Sequence, residues 1–151
     1  MNYLPLFIET SGKKCLIVGG GKVASRKLIP ILKADMIVEL ISPEIHEDII
    51  NFTKSSKIFT YKKRKFEKKD ISDHFLIIAA TNDKKTNSLV SELAIEKNIL
   101  INMAEDSLSG NTLIPSVVDR APIKIAISSG AASPILTRLI KTKLETVIPY
   151  S

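Results

Sequence analysis

The chain has 151 residues, 44% hydrophobic and 25% charged, enough for one ordinary domain with a core of its own. No apolar run approaches the roughly 18 residues of a membrane span, and the first residues lack the basic n-region and small-residue cleavage site of a secretion signal, so the expected setting is the cytoplasm, away from any membrane. A net charge of +6 asks for an anionic partner, and since no zinc-finger, helix-turn-helix or RNP signature accompanies it, nucleic acid is not the expected one.

Apolar, β-branched runs alternate with stretches of helical spacing, the pattern of a parallel sheet with crossover helices. Residues 14–18 predict a first strand. Residues 23–33 predict a helix with Val23, Ala24, Leu28, Ile31 and Leu32 at helical intervals, and Pro30 is expected to kink it or end it early. A second strand over 36–41 is ended by Ser42-Pro43, a short helix follows over 44–52, and a third strand over 57–61. Residues 75–80 are apolar throughout and predict a central strand buried on both faces. Thr81-Asn82-Asp83 then caps a helix over 86–96, and a fifth strand follows over 99–102.

After this the pattern changes. Residues 112–118 and 123–128 predict a strand pair joined through Asp119-Arg120-Ala121-Pro122, and 134–147 a basic amphipathic helix. A strand pair and one helix are too little to fold alone, so this tail is expected to pack on the first domain or on another copy of the chain. The expected fold class is therefore α/β: a Rossmann-like doubly wound parallel sheet over residues 1–111, followed by a small strand-pair-plus-helix segment over 112–151. Cys15 sits inside the first strand and reads as a small core residue. His46 and His74 are isolated, and no metal site is expected from them. The basic run over residues 61–69 reads as a solvated face, and Arg64 and its lysine neighbours are a weaker choice for an anionic partner, being expected on the far side of the sheet.

Gly19-Gly20-Gly21-Lys22-Val23-Ala24 satisfies G-x-G-x-x-A between a strand and a helix, and that context matters more than the letters. Gly19 would make the tight turn, Gly21 would let backbone approach a pyrophosphate, and Ala24 would let the helix pack closely on the sheet. Free N–H groups at the helix start would point at the anion. The acidic residue expected about 20 positions on, at the end of the second strand, has no clean counterpart: Ser42 or Glu44 must serve, or backbone must. No arginine stands there to receive a 2′-phosphate, which favours NAD over NADP.

The stretches Y-L-P-L-F-I (3–8), V-G-G-G-K-V-A-S-R-K (18–27), A-A-T-N-D (79–83) and I-P-S-V-V-D-R-A-P-I-K-I-A-I-S-S-G-A-A-S-P (114–134), followed by L-T-R-L-I-K-T-K-L-E, resemble the precorrin-2 dehydrogenase family. These are the small sirohaem-synthesis enzymes and the matching N-terminal module of multifunctional sirohaem synthases. The resemblance implies NAD-dependent oxidation of precorrin-2 to sirohydrochlorin and, in some members, a ferrochelatase step that inserts ferrous iron. It implies a homodimer with the active site at the subunit junction, in which residues 112–151 are the dimerisation segment. The family's helical third domain is expected to be missing from these 151 residues, which end soon after the last predicted helix.

The resemblance also distributes roles. The family's catalytic aspartate follows the fifth strand in a context like N-V-x-D, and alignment without gaps from Asn102 to Pro115 puts Glu105 there, with Asp106 next to it. The carboxylate is one methylene longer, so either Glu105 does the work or Asp106 turns into the site. The cofactor set is Gly19, Gly21, Lys22, Val23, Ala24, Ser42, Pro43, Thr81 and Asn102. Ser129 matches a serine that in some members is phosphorylated or lines the tetrapyrrole site, and Arg120, Lys124 and Arg138 are candidates for the substrate's carboxylates. The rival reading is a non-catalytic NAD(H)-sensing regulatory Rossmann module; it accounts for Gly19 to Ala24 but not for residues 114–134 or Glu105.

Overall fold

The computed structural model describes residues 2–150. They divide into two compact units, one of Phe7–Thr112, the other joining the N-terminal residues up to Leu6 to the chain from Leu113 onward. In the first unit, β1 (Lys14–Val18), β2 (Ile37–Ile41), β3 (Phe59–Lys62), β4 (Leu76–Ala79) and β5 (Leu100–Met103) form one parallel sheet in the order β3-β2-β1-β4-β5. The order reverses between β1 and β4, and an open α/β sheet binds ligands outside the carboxyl ends of its strands at such a switch point. This is the Rossmann-like architecture expected from the sequence.

The crossovers are α1 (Lys22–Lys33), α2 (Glu47–Ser55) and α3 (Lys84–Glu96). Pro30 neither breaks nor shortens α1, which runs on to Lys33. The carbonyl of Arg26, which loses its i+4 donor to the proline ring, belongs to an exposed residue and can be hydrated. α1 and α3 end alike, with Asp35 (φ 53°) and Asn98 (φ 55°) in the left-handed conformation just past the helix, the usual device for turning the chain back into a strand. α2 begins three residues later than expected, because Ser42 to His46 is committed to a turn and His46 caps the helix through Nδ1, which accepts the Asp48 N–H at 3.2 Å.

The core follows from the sheet. Leu16, Ile17, Ile77, Ile78 and Ile101 are fully buried, as are Val90 and Ala94 of α3. Cys15 is buried with them, and burial pushes its thiol up to about 12, so it is an inert core residue. The free edge of β5 is closed by Asn111, whose Oδ1 accepts the Ile101 N–H at 2.8 Å and whose Nδ2 donates to the Ile99 carbonyl at 3.1 Å. An edge covered this way offers no template for further pairing.

The second unit holds an antiparallel hairpin, β6 (Ser116–Arg120) and β7 (Ile123–Ile127), and the helix α4 (Pro134–Val147). The pairing of Arg120 with Ile123 leaves Ala121-Pro122 as a two-residue turn. The first strand therefore starts four residues later than the apolar pattern suggested and takes in Asp119 and Arg120. Leu113 and Ile114 precede Pro115, which has no N–H to give to a ladder. Ser133 caps α4 by accepting the Leu136 N–H at 3.2 Å, with Pro134 at the first helical position, where a proline costs nothing.

Candidate active site

A cleft of about 700 Å³ opens at the carboxyl edge of β1, β2 and β4, within the range of small-molecule and cofactor sites. Its floor is the glycine loop. Gly19 has φ 116°, and a Cβ there would run into the Ala80 carbonyl at the end of β4. A Cβ on Gly20 would meet the Glu44 carbonyl, and the Gly20 carbonyl accepts the His46 N–H at 2.6 Å. The middle glycine is thus what lets the loop lie against the turn after β2. At Gly21 the space is open. Gly21 is the N-cap of α1, no side chain caps that end, and no acid stands in its first turn. Helix geometry leaves the N–H groups of Lys22, Val23 and Ala24 without intrahelical acceptors, which makes a receptor for an anion. These features fit a dinucleotide pyrophosphate.

The sequence-derived cofactor residues divide accordingly. Gly19, Gly21, Ser42, Pro43 and Thr81 line the cleft, whereas Lys22, Val23 and Ala24 are not in its lining and offer it their backbone N–H groups; the Ala24 side chain is buried. Ser42 is held in its turn, its hydroxyl donating to the Glu44 carbonyl at 2.6 Å and its carbonyl accepting from the Tyr61 hydroxyl at 3.0 Å. Thr81 is braced by Asn87, whose Oδ1 accepts the Thr81 N–H at 3.1 Å and whose Nδ2 donates to the Thr81 carbonyl at 2.9 Å. Asp83, also in the cleft wall, accepts from the Thr86 hydroxyl at 2.6 Å and the Lys85 N–H at 3.1 Å. The Thr86 bond first, and the Lys85 N–H after it, hold its carboxyl below the usual range.

Asn102 lies outside the cleft lining. It is buried on β5 beside Ile78, Nδ2 donates to the Thr112 carbonyl at 2.9 Å, and Oδ1 accepts nothing among the described residues. The Ala104 N–H donates to the Ala79 carbonyl at 3.0 Å, so the chain leaves β5 beside the strand end that walls the cleft. Glu105 and Asp106 follow, both exposed. Asp106 is tied back, its carboxylate accepting a short bond from the Ser109 hydroxyl and its carbonyl accepting the Ser109 N–H at 3.0 Å. Glu105 has no such partner among the described residues.

Lys65 and Phe66 also line the cleft, with Ile45, His46 and Thr86, and the sequence reading missed all five. The basic run is not wholly on the far side of the sheet. Parallel pairing of Ile41 with Lys62 carries the residues after β3 to the same edge as the turn after β2, a placement that the order β3-β2-β1 alone would have shown. Arg64 is spent locally, Nη2 and Nη1 bonding Asp70 at 2.6 and 2.9 Å. The Glu67 N–H adds a third bond to Asp70 at 2.7 Å. The Arg64 bond first, against the opposing effect of burial, keeps the Asp70 carboxyl below its usual range.

In the second unit, the Arg120 guanidinium makes contacts of its own within the unit. Nε and Nη2 reach the Ile148 and Glu145 carbonyls at 3.3 and 3.5 Å, Nη1 reaches the Asp119 carbonyl at 3.2 Å, and Tyr150 stacks on the group at 3.8 Å. Arg120 thus caps the end of α4, where the helix dipole favours a cation. Lys124 is exposed, 3.7 Å from Asp119, and Arg138 is exposed on α4. The Ser129 hydroxyl accepts the Ser133 N–H at 2.9 Å, a bond that closes the loop before α4. Among the described residues no three His, Cys, Asp or Glu side chains gather as a metal site, and no helix is long and apolar enough to cross a membrane.

The strand order and the glycine cleft define a dinucleotide-binding protein of the Rossmann class. The family model described as "Putative NAD(P)-binding" matches residues 6–116, and the chain belongs to that family. Two proteins named siroheme synthase are similar over the whole chain: that of Nitrosococcus oceani is 41% identical over 151 residues, that of Vesicomyosocius okutanii 42% over 151. The chain spans about a third of the length of these curated relatives, 32% in both. Among solved structures, one titled "SirC, precorrin-2 dehydrogenase" superposes with a TM-score of 0.84 at 28% identity, covering 97% of this chain and 72% of that one.

Proposed function

We propose that this chain catalyses the NAD-dependent oxidation of precorrin-2 to sirohydrochlorin, in the cytoplasm and as a homodimer. The observation that carries the reading is one edge of one sheet: an uncapped helix N-terminus over a glycine cleft, with the Glu105 carboxylate following the neighbouring strand end and unpartnered among the described residues. When bound, the dinucleotide supplies the hydride acceptor. The chain's residues do the rest. The N–H groups of residues 22–24 hold the pyrophosphate, Thr81 and Ser42 shape the walls, and Asn102 Oδ1 is a spare acceptor at the β5 end.

With the dinucleotide bound, the chain would hold the substrate beside it and take up a proton on a base, for the overall balance precorrin-2 and NAD⁺ to sirohydrochlorin, NADH and H⁺. Glu105 is the proposed base, in preference to Asp106, whose carboxylate is already engaged by Ser109. Lys124 and Arg138 are the proposed contacts for the substrate's carboxylates; Arg120 positions the end of α4 instead, and Ser129 shapes the loop before it. The homodimer reading is supported by the apolar residues that α4 leaves in solvent, Ile135 at 74% and Leu139 at 63% exposure among them. A surface of that kind calls for a partner.

The test is turnover of precorrin-2 with NAD, followed by NADH absorbance and the sirohydrochlorin spectrum, in the parent, Glu105→Gln and Asp106→Asn. Loss of rate in Glu105→Gln alone is expected, by about 100-fold or more for a general base. Tight NAD binding with no turnover in the parent would leave a non-catalytic sensing module as the function.

A further inference from the structure

A Rossmann site usually selects NAD with a carboxylate at the end of its second strand, which accepts from the ribose hydroxyls and repels a 2′-phosphate. Here that place is taken by Ser42, whose hydroxyl is used inside the turn and whose carbonyl is taken by the Tyr61 hydroxyl of β3. The Ser42 N–H is used too, donating to the Lys62 carbonyl at 3.2 Å. The wall beside the turn is the loop after β3, where the basic run begins. Three of the six cations in residues 61–69 are neutralised locally, Lys62 by Glu39 at 3.0 Å, Arg64 by Asp70 and Lys69 by Glu67 at 2.7 Å, and Lys63 and Lys68 do not line the cleft. Lys65 is different. It lines the cleft, it is exposed, and no acid pairs with it among the described residues. Arg64 Nη1 donates to its carbonyl at 3.0 Å, so the Arg64–Asp70 pair braces the loop with Lys65 on the cleft side.

Two acids share the lining. Asp83 stands at the β4 end, its oxygens occupied by the first turn of α3. Glu44 is exposed and close enough to the Tyr61 hydroxyl to raise its pKa, after the larger effect of burial. Among the described residues, Lys65 is the single Lys or Arg in the lining.

We propose that Lys65 reads the 2′ position of the adenosine ribose, so that the cleft accepts the 2′-phosphorylated dinucleotide as well as NAD. This rests on the reading of the cleft as a dinucleotide site. An ammonium and a phosphate dianion make a charge-assisted contact, whereas a ribose hydroxyl gains little from the same lysine.

The experiment is a fluorescence titration of NADH and NADPH into the parent, Lys65→Ala and Glu44→Gln at two ionic strengths. In the parent, the two dissociation constants are expected to agree within about tenfold. Lys65→Ala weakens NADPH by about tenfold or more and NADH by less than about threefold, and more salt narrows the difference between parent and variant. Glu44→Gln, which removes a negative charge from the lining, does not weaken NADPH. NADPH binding more than about tenfold weaker than NADH in the parent overturns the proposal, as does a loss in Lys65→Ala that is equal for both nucleotides or absent. If neither nucleotide binds the parent, the cleft is not a dinucleotide site and the proposal falls with it. If NADH alone binds, only the role of Lys65 falls.

Discussion

In the unit from Phe7 to Thr112, the central strands bury every side chain from Cys15 to Val18 and from Leu76 to Ala79. In the unit built on the hairpin and α4, Val118 is the one apolar side chain among the described residues that is buried, and Leu136, Ile140 and Val147 stand in solvent beside Ile135 and Leu139. The first unit meets the requirement for a core by itself. The second has the hydrogen bonds of a fold, with a paired hairpin, a capped helix and an arginine over its C-terminus, but hardly any interior. Backbone pairing can therefore be complete in a segment whose apolar burial is left to something outside it.

The largest effect should come from the first unit's centre. Ile77→Ala, on β4 with no exposed surface, is expected to cost about 3–4 kcal/mol, the transfer term plus an uncollapsed cavity, measured by urea denaturation. Leu139→Ala, with most of its surface already in solvent, should cost less than about 0.5 kcal/mol in a dilute monomer. Similar losses at both sites would mean that α4 is not the exposed element described here.

The second effect sharpens the same contrast. Ile135→Glu with Leu139→Glu is expected to raise the dimer dissociation constant by about 100-fold or more, read by analytical ultracentrifugation, with far-ultraviolet circular dichroism unchanged. A dimer that survives both charges would place the contact elsewhere, and the homodimer reading of this helix would fall.

Third, Asp70→Asn tests a charge that the first unit keeps inside. Its carboxylate takes two bonds from Arg64 and one from Glu67, and the loss is expected to be about 2 kcal/mol. Because the folded carboxyl lies below its unfolded value, the contribution is present above the ordinary aspartate range near about 4. It is lost as pH falls through the depressed folded value. The parent and Asp70→Asn should therefore converge in stability below about pH 4; a difference that persists at low pH would contradict the charged pair.

How much of this was legible in the sequence follows the same division. The buried strands of the first unit write their own signal, since a strand covered on both faces must be continuously apolar, as residues 75–80 are. Glu44 to His46 reads as the start of a helix because Glu44 to Phe52 has plausible spacing; what cancels it is a tertiary contact, the Gly20 carbonyl on the His46 N–H. Lys65 was passed over because a lysine among lysines carries no pattern, and only the strand order brings it to the cleft. The hairpin was found but misplaced, since its register is fixed by the two-residue turn at Ala121-Pro122 rather than by hydrophobicity.

The smallest effect lies in the loop before α4. Gly130 (φ 63°) and Ala131 (φ 69°) are successive left-handed residues, and the second has a Cβ, for which that conformation costs about 1–2 kcal/mol. The Ser129 carbonyl holds the turn by accepting the Ala132 N–H at 3.2 Å, and the Ser129 hydroxyl by accepting the Ser133 N–H. Ala131→Gly removes the strain but makes the unfolded chain freer, which returns about 0.5–1 kcal/mol of the gain. The net expectation is a stabilisation of about 0.5 kcal/mol, measured by urea denaturation of the variant beside the parent. If Ala131→Gly instead destabilises, the loop does not hold Ala131 in a strained conformation, and the serine clamp is not what fixes its shape.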